Sequence, residues 1–88
     1  MKHVKIRVSG KVQGVFFRLS TKKKASKLGV NGIVRNESDG SVYIEAEGPE
    51  TELLKFIEWC KSGPPLSRVE QTIMEDGELQ GFKNFEIQ

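Results

Sequence analysis

Hydrophobic spacing in this 88-residue chain switches from a period of two to a helical period and back, twice in succession, and no other feature limits the possible folds as strongly. Residues 3–9 alternate strictly, with Val4, Ile6 and Val8 apolar and His3, Lys5, Arg7 and Ser9 polar, as in a half-buried strand. Phe17, Thr21, Ala25 and Leu28 then fall on one helical face, and Gly29 supplies a left-handed stop, so a helix is expected over 17–28. Asn31–Asn36 and Ser41–Glu47 read as two strands of a hairpin, joined by Glu37-Ser38-Asp39-Gly40 with its Asp-Gly turn signal. Pro49 and Glu50 open a second helix, whose core face is Leu53, Phe56, Ile57 and Cys60 with Trp59 at the flank, and Ser62-Gly63-Pro64-Pro65 ends it. A further strand runs from about Ser67 to Met74, and the last alternates over Phe85-Glu86-Ile87.

The resulting order, βαββαβ, is expected to form an α+β, ferredoxin-like sandwich: a four-stranded antiparallel sheet with both helices on one face, residues 1–88 making a single domain. His3 is expected at the surface, and Glu45, Glu47, Glu50 and Glu52 as surface charge. Phe16, Phe17, Phe56 and Trp59 are assigned to the core or its flank.

Several function classes are disfavoured at once. Composition is that of an ordered globular protein, with 36% hydrophobic and 30% charged residues and no low-complexity tract. Apolar runs such as Val15-Phe16-Phe17 are too short to span a bilayer, and Met-Lys-His-Val-Lys is no signal peptide, so a cytoplasmic setting without membrane attachment is expected. Cys60 and His3 are each the only residue of their kind, which argues against a disulfide within the chain, a His/Cys metal site or a Ser-His-Asp or Cys-His arrangement. No metal and no cofactor are expected. A net charge of +2 is a weak preference for anions, far from the basic stripe of a nucleic-acid binder.

The stretch Gly10-Lys-Val-Gln-Gly-Val-Phe-Phe-Arg18 poses an electrostatic problem. The positive end of a helix dipole disfavours a cation in the first turn, yet Arg18 sits there. A ligand anion resolves the conflict: glycines let the loop curl, first-turn N–H groups converge, and a guanidinium grips two oxygens at once. A plain connection with Arg18 paired to a surface carboxylate is the competing reading of the loop alone. Asn36, at the end of the next strand, is by itself an ordinary turn residue. In the expected fold, however, it can face the same site, where an amide that both donates and accepts can aim a water molecule.

At these residues the chain resembles the acylphosphatase family. Gly10–Arg18 is similar to the family's signature loop, Leu28–Gly48 to its second block, and Trp59–Glu70 to the segment that follows, so the likeness covers nearly the whole chain. It implies hydrolysis of the carboxyl–phosphate bond of acyl phosphates to a carboxylate and orthophosphate, by in-line attack of an oriented water without metal or covalent intermediate. The phosphate would rest on the backbone N–H groups of Gln13, Gly14, Val15, Phe16, Phe17 and Arg18 and on the Arg18 side chain, and Asn36 would orient the water. The implied partners are a small acyl phosphate and orthophosphate, the latter as product and inhibitor; a monomer is expected.

Two rivals belong to other classes. RNA-recognition modules share this order of elements, but they stack bases on strand aromatics, and here the strands offer mainly Lys5, Arg7, Arg35 and Tyr43. A non-catalytic acyl- or phosphate-sensing domain could use the same cradle. Lys22-Lys23-Lys24 with Lys27 is read as the solvated face of the first helix, with a small steering effect on anions.

Overall fold

Val4, Ile6 and Val8 alternate inward along β1 (Lys2–Lys11), an interior strand of the sheet. The computed structural model describes all residues 1–88. It places α1 over Phe17–Leu28, β2 over Asn31–Asn36, β3 over Val42–Gly48, α2 over Glu50–Ser62, β4 over Arg68–Gly77 and β5 over Phe85–Ile87. β1 pairs antiparallel with β3, aligning Ile6 with Ile44 and Val8 with Val42, and antiparallel with β4 on its other side. β2 completes the hairpin with β3, bringing Asn36 opposite Val42.

The sheet has five strands in the order β4-β1-β3-β2-β5, where four antiparallel strands were expected. Residues 85–87 pair parallel to β2, Gly32 with Phe85 and Val34 with Ile87. Geometry forces this direction. β4 ends where Gly77 faces His3, at the same end of the sheet as Asn31, so the chain crosses that end and must then run alongside β2. The remaining ladders are antiparallel, as expected, and both helices cover one face.

α1 holds Phe17, Thr21 and Ala25 against the sheet at helical spacing. Its end is closed by Gly29 at φ 72°, with the Val30 N–H returning to the Ala25 carbonyl at 2.9 Å. α2 begins after Pro49 with Glu50 and Glu52 in its first turn, where they complement the dipole, and buries Leu53, Phe56, Ile57 and Cys60. Phe56 meets Phe85 of β5 with ring centroids 5.8 Å apart, and Phe17 meets the half-buried Trp59 at 5.9 Å. No helix is long and apolar enough to cross a membrane.

Three expectations change. His3 is buried, because the residues 78–84 connection passes over the outer face of the sheet there and Phe82 stacks on the imidazole. Glu47 is buried for the same reason. Its carboxylate accepts the N–H groups of Gln80, Gly81 and Phe82 and lies 2.8 Å from His3 Nδ1. Alternation assigns His3 to the outer face correctly, but that face is covered at this end, and Glu47 lies under the same cover. Phe16 is 69% exposed, outside the core, since the backbone at the mouth of α1 turns its side chain outward.

Candidate active site

The loop between β1 and α1 is shaped by two left-handed residues, Gly14 at φ 73° and Phe16 at φ 63°. A Cβ on Gly14 would meet nothing within 4 Å, so glycine is favoured there by its backbone conformation and not by a close contact. Phe16 is the single non-glycine residue with positive φ, a conformation costing roughly 1–2 kcal/mol. That strain holds the N-cap position of α1, which has no side-chain cap and no acidic residue in its first turn. The Ser20 N–H is the first along α1 to reach a helical carbonyl, that of Phe16 at 3.0 Å. The N–H groups of Phe17, Arg18 and Leu19 precede it, at the positive end of the helix.

These groups open on a cavity of about 280 Å³ lined by Val12, Gly14, Phe16, Phe17, Arg18, Leu19, Asn36 and Ile87. Arg18 and Asn36 therefore share one site, because β2 returns from α1 alongside the loop that precedes it. Five of the residues first singled out line the cavity: Gly14, Phe16, Phe17, Arg18 and Asn36. Val15 is buried in the core, where it pins the loop, and the Gln13 side chain is engaged with the β2–β3 turn.

The Arg18 guanidinium gives Nη1 to the Gln88 backbone oxygen at 3.2 Å, which orients the side chain while leaving most of its five N–H donors free. Ile87 adds an apolar wall. The residues missed in the sequence are those of this C-terminal segment together with Val12 and Leu19. Alternation over three residues marks a strand but says nothing of which strand it pairs with or in which direction. The lining holds no carboxylate, imidazole or thiol, so nothing in it can act as a strong general acid or as a set of metal ligands.

Around the site the charges are fixed in place. Arg7 donates to the Ser41 hydroxyl at 3.0 Å and lies 3.5 Å from a Glu37 carboxylate oxygen, while Arg35 Nε lies 3.3 Å from the other. The Ser41 hydroxyl and N–H hold the Asp39 carboxyl below its usual range. Both guanidiniums lie over the Tyr43 ring, at 5.4 and 4.6 Å from its centre. Burial, reinforced by the hydrogen bond to Glu45, pushes the Tyr43 hydroxyl up to about 12. Burial also raises the Cys60 thiol, which leaves it an inert core residue.

The acylphosphatase family model matches residues 4–87. Over 80 residues the chain is 49% identical to an acylphosphatase of Acaryochloris marina, covering 91% of this chain and 86% of that protein. It is 46% identical over 87 residues to one of Thermotoga maritima, covering 99% and 97%. Among solved structures it superposes on the acylphosphatase of Bacillus subtilis with a TM-score of 0.95 and 41% identity, covering 99% of this chain and 98% of that one.

Proposed function

This chain belongs to the acylphosphatase family, and from that membership we propose that it hydrolyses acyl phosphates at the cavity where α1 begins. The observation that carries the assignment is the shared cavity of Arg18 and Asn36 beside first-turn N–H groups that have no helical partner. The phosphoryl group sits on the backbone N–H groups of residues 13–18, with Arg18 clamping its equatorial oxygens. Asn36 holds a water in line with the bond to the acyl oxygen. As the water oxygen bonds to phosphorus, the phosphorus–acyl oxygen bond breaks, a carboxylate leaves, and the water's proton passes to a phosphate oxygen. A carboxylate is a good enough leaving group to depart unprotonated, which suits a cavity without a general acid. Positioning and charge stabilisation then supply the acceleration.

In this reading residues 1–88 work as one domain and one monomer, in the cytoplasm, and orthophosphate competes with substrate as product and inhibitor. A nucleic-acid role draws no support from the open sheet face, where the single tyrosine is already covered by Arg7 and Arg35. The test is orthophosphate release from acetyl phosphate with and without a chelator, beside a binding assay with labelled single-stranded RNA. Turnover that survives chelation, with no RNA bound, is the expected result. Turnover abolished by the chelator and restored by a divalent ion would overturn the mechanism.

A further inference from the structure

The Gln13 side chain reaches out of the phosphate loop and donates to two carbonyls of the β2–β3 turn: Glu37 O at 2.8 Å and Ser41 O at 2.9 Å. Both partners are acceptors, so the amide nitrogen must face them and each of its hydrogens is used. The two carbonyls are also the ends of the turn itself. The Glu37 N–H bonds the Ser41 carbonyl at 2.8 Å, and the Gly40 N–H bonds the Glu37 carbonyl at 3.1 Å. Asn36 is the residue immediately before this closure and the last of β2 to pair with β3, opposite Val42. Gln13 therefore bolts together two segments that no element of regular structure joins directly: the strained loop on which the phosphate rests and the strand end that carries Asn36.

We propose that Gln13 is a positioning residue whose side chain sets the distance between the phosphate cradle and Asn36, and hence the line of attack of the water. The inference rests on the acylphosphatase reading and deepens it. Its physical basis is that the two halves of the site answer to different frameworks. The cradle and Arg18 ride on the start of α1, whereas Asn36 rides on the β2–β3 hairpin. The turn side is stiffened independently by the hydrogen bonds that Arg7 donates to the Ser41 hydroxyl and that this hydroxyl donates to the Asp39 carboxylate, so the Gln13 bridge is a link between two rigid bodies. Breaking it leaves each body intact but lets their relative position drift. The cradle continues to bind phosphate, and the water loses its aim.

Gln13→Met keeps the length of the side chain and removes both donors; Gln13→Glu replaces them with an acceptor that repels the two carbonyls until it is protonated. Both variants and wild type are compared by acetyl phosphate kinetics, by the rise in melting temperature with orthophosphate, and by the side-chain amide resonance of Asn36 in a 15N spectrum. A merely structural role would not separate these readouts. For Gln13→Met the expectation is a kcat lower by about 10- to 100-fold, as for other small misplacements of a reacting group, with KM and the phosphate-induced shift within about twofold of wild type. The Asn36 side-chain resonance moves or broadens. Gln13→Glu loses more activity at neutral pH and regains part of it, relative to wild type, as acid protonates the new carboxyl. A folded Gln13→Met with wild-type kcat and an unchanged Asn36 resonance overturns the inference, as does loss of phosphate binding with kcat intact. An inactive wild type would refute the acylphosphatase reading instead, and the Asn36 resonance would still decide whether Gln13 positions it.

Discussion

Arg18 and Gln88, 70 residues apart in the chain, meet through a 3.2 Å hydrogen bond from guanidinium to backbone oxygen. The link ties the proposed phosphate clamp to the segment that follows β5. It follows that the anchor of β5, Phe85, supports activity at a distance. Phe85 is buried against Phe56, and Phe85→Ala should cost about 3–5 kcal/mol in urea unfolding. In the fraction that stays folded at low temperature, KM should rise as Arg18 loses its orientation. Unchanged kcat/KM in folded Phe85→Ala would show that β5 has no part in holding the guanidinium.

Phe16 offers a test of strain. Its side chain is mostly exposed, so little packing is lost on truncation, while its left-handed backbone is one that glycine adopts without penalty. Relief of strain, roughly 1–2 kcal/mol, opposes the 0.5–1 kcal/mol that glycine's extra freedom costs in the unfolded chain. Phe16→Gly should therefore be as stable as wild type or more so by about 0.5–1 kcal/mol in chemical denaturation. Phe16→Val, whose branched Cβ suits this conformation least, should be less stable than wild type. A clear loss of stability in Phe16→Gly would mean that the phenyl ring, and not the backbone, is what that position contributes.

Much of this arrangement can be read from the residues alone, and the limits are physical. The period-two and helical stripes point to the βαββαβ core of the fold, to α1 and α2 within a residue, and to the inward residues of β1, because burial of one face imposes those periods, while the fifth strand lies outside that order. Loop chemistry led to Arg18 and Asn36 through the misplaced cation. Alternation puts His3 on an outer face and position at a strand end marks Glu47 as surface charge, while whether a connection covers that face depends on a crossing nowhere encoded in local spacing. Phe16 looked like core because its composition says apolar, and backbone strain is invisible in a residue type. The Gln13 bridge was hidden for a further reason. Its partners are backbone carbonyls, which every residue has.

The carboxylate of Glu47 predicts a response to acid. Burial alone would raise its pKa, but the N–H of Gln80, the His3 ring and the N–H of Phe82 together outweigh burial and hold it below the ordinary value of 4.5. As pH falls, the unfolded chain takes up this proton first, so the stability contributed is complete above the ordinary value and is lost as pH drops through the lowered, folded one. Glu47→Gln should cost about 2 kcal/mol at neutral pH, since charged acceptors of buried donors are worth more than neutral ones. Its melting temperature should then fall less steeply than that of wild type below pH 4.5. Parallel acid slopes for the two proteins would assign the acid sensitivity to other carboxyls.

The cavity lining predicts a substrate order. Phosphate monoesters leave as alkoxides and need a proton donor, which Val12, Gly14, Phe16, Phe17, Arg18, Leu19, Asn36 and Ile87 do not provide. Acetyl phosphate should be hydrolysed at least about a hundredfold faster, in kcat/KM, than an alkyl phosphate of similar size, the smaller end of what general acid catalysis contributes. Comparable rates would reveal a general acid outside this lining.

Arg18 and Asn36 can be separated because they serve different steps. Arg18 grips the phosphate in the ground state and in the transition state, while Asn36 acts on the water and gains importance only as the new bond forms. Orthophosphate, which binds the native state alone, should raise the wild-type melting temperature by mass action. Arg18→Ala should lose that rise together with activity. Asn36→Ala should keep most of the rise and lose about 100- to 1000-fold in kcat, the size of effect seen when one group acting on the transition state is removed. Asn36 is exposed and Arg18 only half-buried at the cavity wall, so both variants should unfold within about 1 kcal/mol of wild type in the absence of phosphate. The decisive comparison is thermal unfolding with and without orthophosphate, beside acetyl phosphate kinetics, for all three proteins. A folded Asn36→Ala with full activity, or an Arg18→Ala that still responds to phosphate like wild type, would break the division of labour proposed for the site while leaving the fold untouched.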